Sequence, residues 1–189
     1  MNVFDKQSID KEVVISAYKA NIVALGVFVV LLLVLGFFFV WLWGAKNLLN
    51  GLRFLQNHVV FMLVVLIVGV FLHEGLHGIT WAMFCKDKFR AISFGIKWKS
   101  LTPYCQCNET LSRNQYLLGG VMPGLVTGII PLIISMFIGF GCLFWFGIFF
   151  TAAAIGDFMV LAKLIKVKPN MLILDHPTEI GFLVIQPPK

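Results

Sequence analysis

Five consecutive residues could carry chemistry in this chain: His73-Glu74-Gly75-Leu76-His77. On a helix, residues four apart lie about 40° apart around the axis and one turn apart along it, so both imidazoles leave from the same face. Two such rings can share one zinc ion, while the glutamate between them is placed to act on a water molecule rather than on the metal. The pattern therefore predicts a metallohydrolase with His73 and His77 as zinc ligands and Glu74 as the catalytic general base. A plainer reading is a polar cluster that neighbouring helices satisfy. Against it, three ionisable groups inside an apolar run are costly unless they serve a purpose. Gly75 and Gly78 leave room for a close approach by backbone or substrate.

The elements that must position these residues follow from composition. Of 189 residues 59% are apolar and 13% charged, with a mean hydropathy of +0.91. A soluble domain has about 25% charged residues, so the expected solvent is a bilayer. Apolar runs at 21–43, 59–84, 117–140 and 142–164 predict four membrane spans, with Trp41 and Trp43 as an interfacial belt. Gly44 to Asn57 reads as a short linker, Pro123 and Pro131 as kinks, and Gly139-Phe140-Gly141 as a tight turn. Between the second and third spans, Ile92, Phe94, Ile96 and Trp98 alternate with polar residues or glycine, which predicts a strand to Lys99 and a partner strand through Cys107. Ser112 and Gln115 have the spacing of a capping box. The fold expected is an all-α membrane protein of about four transmembrane helices with a small cytoplasmic β-hairpin, in one domain over residues 1–189.

Charge placement orients this layout. The formal charge is +6, and thirteen of fifteen basic residues fall in the first tail, the hairpin loop and the last tail. Only Lys46 and Arg53 lie on the other side, which predicts a multi-pass cell-membrane protein with both termini cytoplasmic. The basic residues form no stripe of the kind nucleic acid requires. The four cysteines give no disulfide framework, and Cys105-x-Cys107 has no second pair to complete a metal site.

A catalytic zinc takes three protein ligands and keeps one position for water. Of nine acidic residues, only Glu74 and Asp157 lie within the apolar runs. Counted from the cytoplasmic end of each span, His77 lies about 10 Å deep, His73 about 16 Å and Asp157 about 9–13 Å. Asp157 is therefore the expected third ligand. His58, His176, Glu109, Cys105 and Cys107 are rivals that this layout places at other depths.

These residues also carry a resemblance. The His-Glu-Gly-Leu-His-Gly stretch, the basic strand-bearing loop and Gly156-Asp157 resemble a bacterial family of zincin peptidases that are membrane proteins. That family is similar in turn to the site-2 protease class of intramembrane metalloproteases. In site-2 proteases the third ligand is an aspartate followed by glycine after an Asn-Pro; here Gly156 precedes Asp157 and Phe158 follows. The resemblance implies a zinc-dependent intramembrane peptidase that acts on a membrane-anchored peptide near the cytoplasmic face. It also implies that the strand from Ile92 could pair with an extended substrate. That loop could equally anchor at the interface or contact anionic lipid. A metal sensor, a carrier subunit and a hydrolase of lipid-type anchors are the alternatives left open, because the motif specifies activation of water and not the substrate.

Overall fold

Backbone amides inside an apolar stretch find no water to bond, so such stretches close their hydrogen bonds internally as helices. The computed structural model describes residues 9–98 and 102–187. Lys6, Lys99 and Lys189, which entered the charge count, lie outside them. In chain order, strand β1 (Ile9–Ile15) is followed by helices α1 (Ala17–Trp43), α2 (Ala45–Asn57) and α3 (Val59–Ala82). A hairpin of β2 (Ile92–Lys97) and β3 (Thr102–Cys107) and a short β4 (Leu111–Ser112) come next. Helix α4 (Arg113–Pro123), a π-helical stretch (Gly124–Ile129) and α5 (Ile130–Ile138) follow one another without an intervening loop. Helices α6 (Gly141–Ala153) and α7 (Ile155–Leu164) and strands β5 (Leu172–Asp175) and β6 (Ile180–Ile185) complete the chain.

Among the described residues, three helices are long and apolar enough to cross a membrane: Ala17–Trp43, Val59–Ala82 and Arg113–Ile138. A fourth span results if α6 and α7, bent by 41°, count as one. Leu33, Phe37 and Trp41 of α1 are each about two-thirds exposed or more, a surface suited to lipid and unsuited to water. These features are consistent with a multi-pass membrane protein.

The contacts divide the chain into two units. One comprises Asn21–His73 and Pro123–Gly156. Its core is Phe39, Leu132, Phe144 and Ile148, with the Phe39 and Phe144 rings 4.9 Å apart. The segment expected as a linker is the helix α2, because its leucines recur at helical spacing and give it an apolar side. It lies against α6 so closely that a Cβ on Gly51 would sit 2.6 Å from the Cys142 nitrogen. Trp145 donates its ring N–H to the Leu48 carbonyl over 3.1 Å. Gly139 ends α5 in the left-handed conformation, with φ 69°, as the expected turn requires. Between Pro123 and Pro131 the third span carries the π-helical stretch.

The other unit comprises Met1–Ala20, Glu74–Met122 and Asp157–Lys189, and it corrects the all-α expectation. Strands β1 and β6, from opposite ends of the described chain, join one antiparallel four-stranded sheet, ordered β1-β6-β5-β4. Val13 pairs with Phe182, Leu174 with Leu183, and Leu111 with Ile173. Val13, Ile173, Phe182 and Val184 are buried together with Trp81, Tyr116, Leu161 and Leu164. The β2–β3 hairpin forms in the expected place, Phe94 opposite Cys105. The capping box also forms: the Ser112 N–H reaches Gln115 Oε1 over 2.9 Å and the Gln115 N–H reaches Ser112 Oγ over 3.4 Å.

Asp175 ties the hairpin to the sheet. Its carboxylate accepts the Cys107 N–H over 2.7 Å and the Tyr116 hydroxyl. Burial pushes its carboxyl up to about 6, although both hydrogen bonds favour the ionised form. A carboxyl whose folded pKa is raised contributes stability below its unfolded value, and that contribution fades as pH rises through the folded value. Wild type should therefore hold its largest thermal-stability margin over Asp175→Asn near pH 4, shrinking as pH rises through about 6. Melting curves of the two proteins in detergent measure this, and a margin that grows between pH 4 and 7 would contradict it.

Candidate metal centre

An imidazole can offer one nitrogen to a metal only if the other is held elsewhere, because the second hydrogen bond fixes the tautomer and the ring plane. His73 and His77 are both buried on α3, one turn apart. His77 Nδ1 lies 2.9 Å from the Gly119 carbonyl oxygen, and His73 Nδ1 lies 3.4 Å from Thr127 Oγ1. The Thr127 hydroxyl donates its own proton to the Pro123 carbonyl over 2.8 Å, so its oxygen is left to accept from His73. In both rings Nδ1–H is the donor and Nε2 is the nitrogen presented.

The sequence explains why these acceptors exist. A helical carbonyl normally accepts the N–H four residues on, and for Gly119 that residue is Pro123, which has none. The proline therefore releases the carbonyl that His77 uses. Gly119 is itself required to be small, since a Cβ there would run into the Trp81 indole. Trp81 stacks on His77 with centroids 5.0 Å apart and planes at 21°, and Tyr116 stacks on Trp81 at 5.2 Å and 27°. The Trp81 ring N–H donates to the Tyr116 carbonyl over 3.2 Å, which fixes the rotation of the indole. His77 is thus held by a hydrogen bond on one side and a ring stack along its face.

Asp157 comes from α7. The expected fourth span is broken at Ala154, and the break makes Asp157 a residue of the first turn of α7. A helix N-terminus favours a carboxylate there, through its unpaired N–H groups and dipole. Its Oδ1 lies 3.6 Å from His77 Nε2. The candidate ligand atoms of His73, His77 and Asp157 all lie within 4.8 Å of one another. Two imidazoles with Nδ1 occupied and one carboxylate are the donor set of a catalytic zinc site, so the residues present fit that ion. Glu74, half-buried, stands between the two histidines in sequence and outside this trio.

Four of the rivals for third ligand, His58, His176, Glu109 and Cys107, are engaged elsewhere. His58 bonds the Phe54 carbonyl over 2.9 Å and stacks on the Phe54 ring. His176 Nε2 bonds Glu12 over 2.9 Å, and its Nδ1 accepts the N–H groups of Thr178 and Glu179. Glu109 accepts the N–H groups of Lys86 and Asp87. Cys107 lies 3.3 Å, sulfur to sulfur, from Cys85. Cys105 is partly buried on β3; burial first, and then the nearby Glu74 carboxylate, raise its thiol well above the ordinary range. Gly119, Thr127, Trp81 and Pro123 were not singled out as site residues from the sequence. The one legible signal was Pro123, read as a kink and not as a residue that frees a carbonyl.

Comparison with known proteins adds a family. A family model described as "Putative zincin peptidase" matches residues 66–172, more than half of the chain and a stretch that includes His73, Glu74, His77 and Asp157. No curated protein and no solved structure matches the chain.

Proposed function

The chain belongs to this zincin peptidase family, and from that premise we propose that it is a zinc-dependent intramembrane peptidase that cleaves a peptide bond near the cytoplasmic side of the bilayer. The observation that carries this reading is the trio of His73, His77 and Asp157, with ligand atoms within 4.8 Å, beside Glu74. His73 and His77 would hold the ion through Nε2, and Asp157 through a carboxylate oxygen. Zinc, when bound, lowers the pKa of water toward neutrality and polarises a carbonyl. Glu74 accepts the proton that the attacking water loses and delivers it to the leaving amine nitrogen. Gly119 and Thr127 hold the two rings in the orientation that leaves Nε2 for the ion.

The substrate in this reading is an extended segment of a membrane-anchored protein, because a helical segment hides its carbonyls in its own hydrogen bonds. The two-stranded β2–β3 hairpin offers an edge to which such a segment could add, as the likeness to site-2 proteases suggests. A four-span topology with both ends cytoplasmic is supported by the distribution of basic residues. Reporter fusions near Arg53 should then read as non-cytoplasmic, and a cytoplasmic signal there would contradict the topology.

The enzyme reading is separated from a metal sensor or carrier by Glu74→Gln. This change keeps the side-chain shape but removes the proton acceptor. The variant should retain zinc and its fold while processing of a membrane-anchored substrate falls by roughly 10²-fold or more. Zinc content and processing are measured in the same preparation, and undiminished processing by the zinc-loaded variant would overturn the mechanism.

A further inference from the structure

A cavity of about 760 Å³ lies where the end of α7 and the turn after it meet β1 and β6. It is remote in sequence from His73 and Glu74 and contains no residue of the metal trio. Four lysines line it: Lys11 from β1, Lys163 from α7, and Lys166 and Lys168 from the turn. On β1 the buried face is Val13 and Ile15, and Lys11 shares that face by period two, so a lysine stands where the apolar face runs out. Apolar side chains, including Val13, Met171 and Val184, complete the lining.

Two carboxylates, Asp10 and Glu12, also line the cavity, so its formal charge is +2. Asp10 accepts the Gln186 amide over 3.1 Å, and Glu12 is paired with His176. Among the described residues, none of the four lysines is ion-paired with a carboxylate. Several like charges held around one concavity repel one another unless an anion joins them. Ammonium groups are compact point charges suited to phosphate oxygens. The apolar part of the lining suits a ligand that carries hydrocarbon beside its charge, and the volume is that of an ordinary ligand site.

We propose that this cavity is a binding site for a phosphate-bearing anionic group. Two sources share that chemistry, a phospholipid headgroup and a free phosphate, and the experiment separates them. The site does not depend on the zinc reading. It bears on the same helix, however, because Lys163 follows Asp157 by six residues, about 9 Å along α7.

Full-length protein in non-ionic detergent is titrated with short-chain phosphatidylglycerol and, separately, with inorganic phosphate, each followed by calorimetry. The expected result is one-to-one binding of at least the lipid. Lys163→Gln/Lys166→Gln/Lys168→Gln should weaken it by about tenfold or more, and Lys11→Gln alone by about fivefold, the scale of one lysine near an anionic group. The control Lys86→Gln/Lys88→Gln/Arg90→Gln removes the same charge elsewhere and should leave binding unchanged, with melting temperatures confirming that all variants fold. Lipid binding without phosphate binding assigns the site to a headgroup, and binding of both assigns it to phosphate itself. Binding of neither, an equal loss in the control, or no loss in the cavity variants would overturn the proposal.

Discussion

A histidine ring inside an apolar helix has two nitrogens to satisfy, and leaving a buried polar group without a partner costs about 1–3 kcal/mol. The third span resolves half of that demand for each of two rings, through the Gly119 carbonyl and the Thr127 hydroxyl. In the proposed reading, Nε2 of each ring and a carboxylate oxygen of Asp157 would share one divalent cation. Much of the local structure follows from this constraint. Pro123 releases a carbonyl, Gly119 is small enough to admit Trp81, and the Trp81 indole backs His77. The proline and the glycine would each weaken an ordinary helix, and both serve the aiming of a ring nitrogen.

The sheet gives the His77 side of the site a rigid backing. Tyr116 stacks on Trp81 and donates its hydroxyl to Asp175, which in turn holds the Cys107 N–H at the end of β3. A continuous series of contacts therefore runs from a candidate metal ligand to the hairpin and to β5. The strands at both chain ends complete the layer on which Tyr116 rests, its ring lying 5.9 Å from that of Phe182. Strands β1 and β6 are in this sense part of the support for the candidate site.

How much of this was legible depended on whether the deciding interaction was local. His73, Glu74 and His77 are legible because four-residue spacing is a property of one helix. Asp157 was within reach because a carboxylate in an apolar run is rare and its depth could be counted. The β2–β3 hairpin and the Ser112–Gln115 capping box are likewise short-range patterns. The pairing of Ile9–Ile15 with Ile180–Ile185 was not legible. Its partners lie at opposite ends of the chain, and Asp10, Lys11 and Glu12 mask the alternation of β1. Helix α2 falls in the segment expected as a linker, where Gly51 is required by close contact with α6, a long-range partner. The break at Ala154 has no proline to announce it.

The claim on which the account rests is that two imidazoles and a carboxylate hold zinc. X-ray absorption at the zinc edge of the zinc-loaded full-length protein tests it most directly. The account predicts two imidazole ligands, with all near neighbours nitrogen or oxygen at about 2.0–2.2 Å. A sulfur neighbour at about 2.3 Å would place Cys105, Cys107 or another cysteine in the ligand set and contradict it.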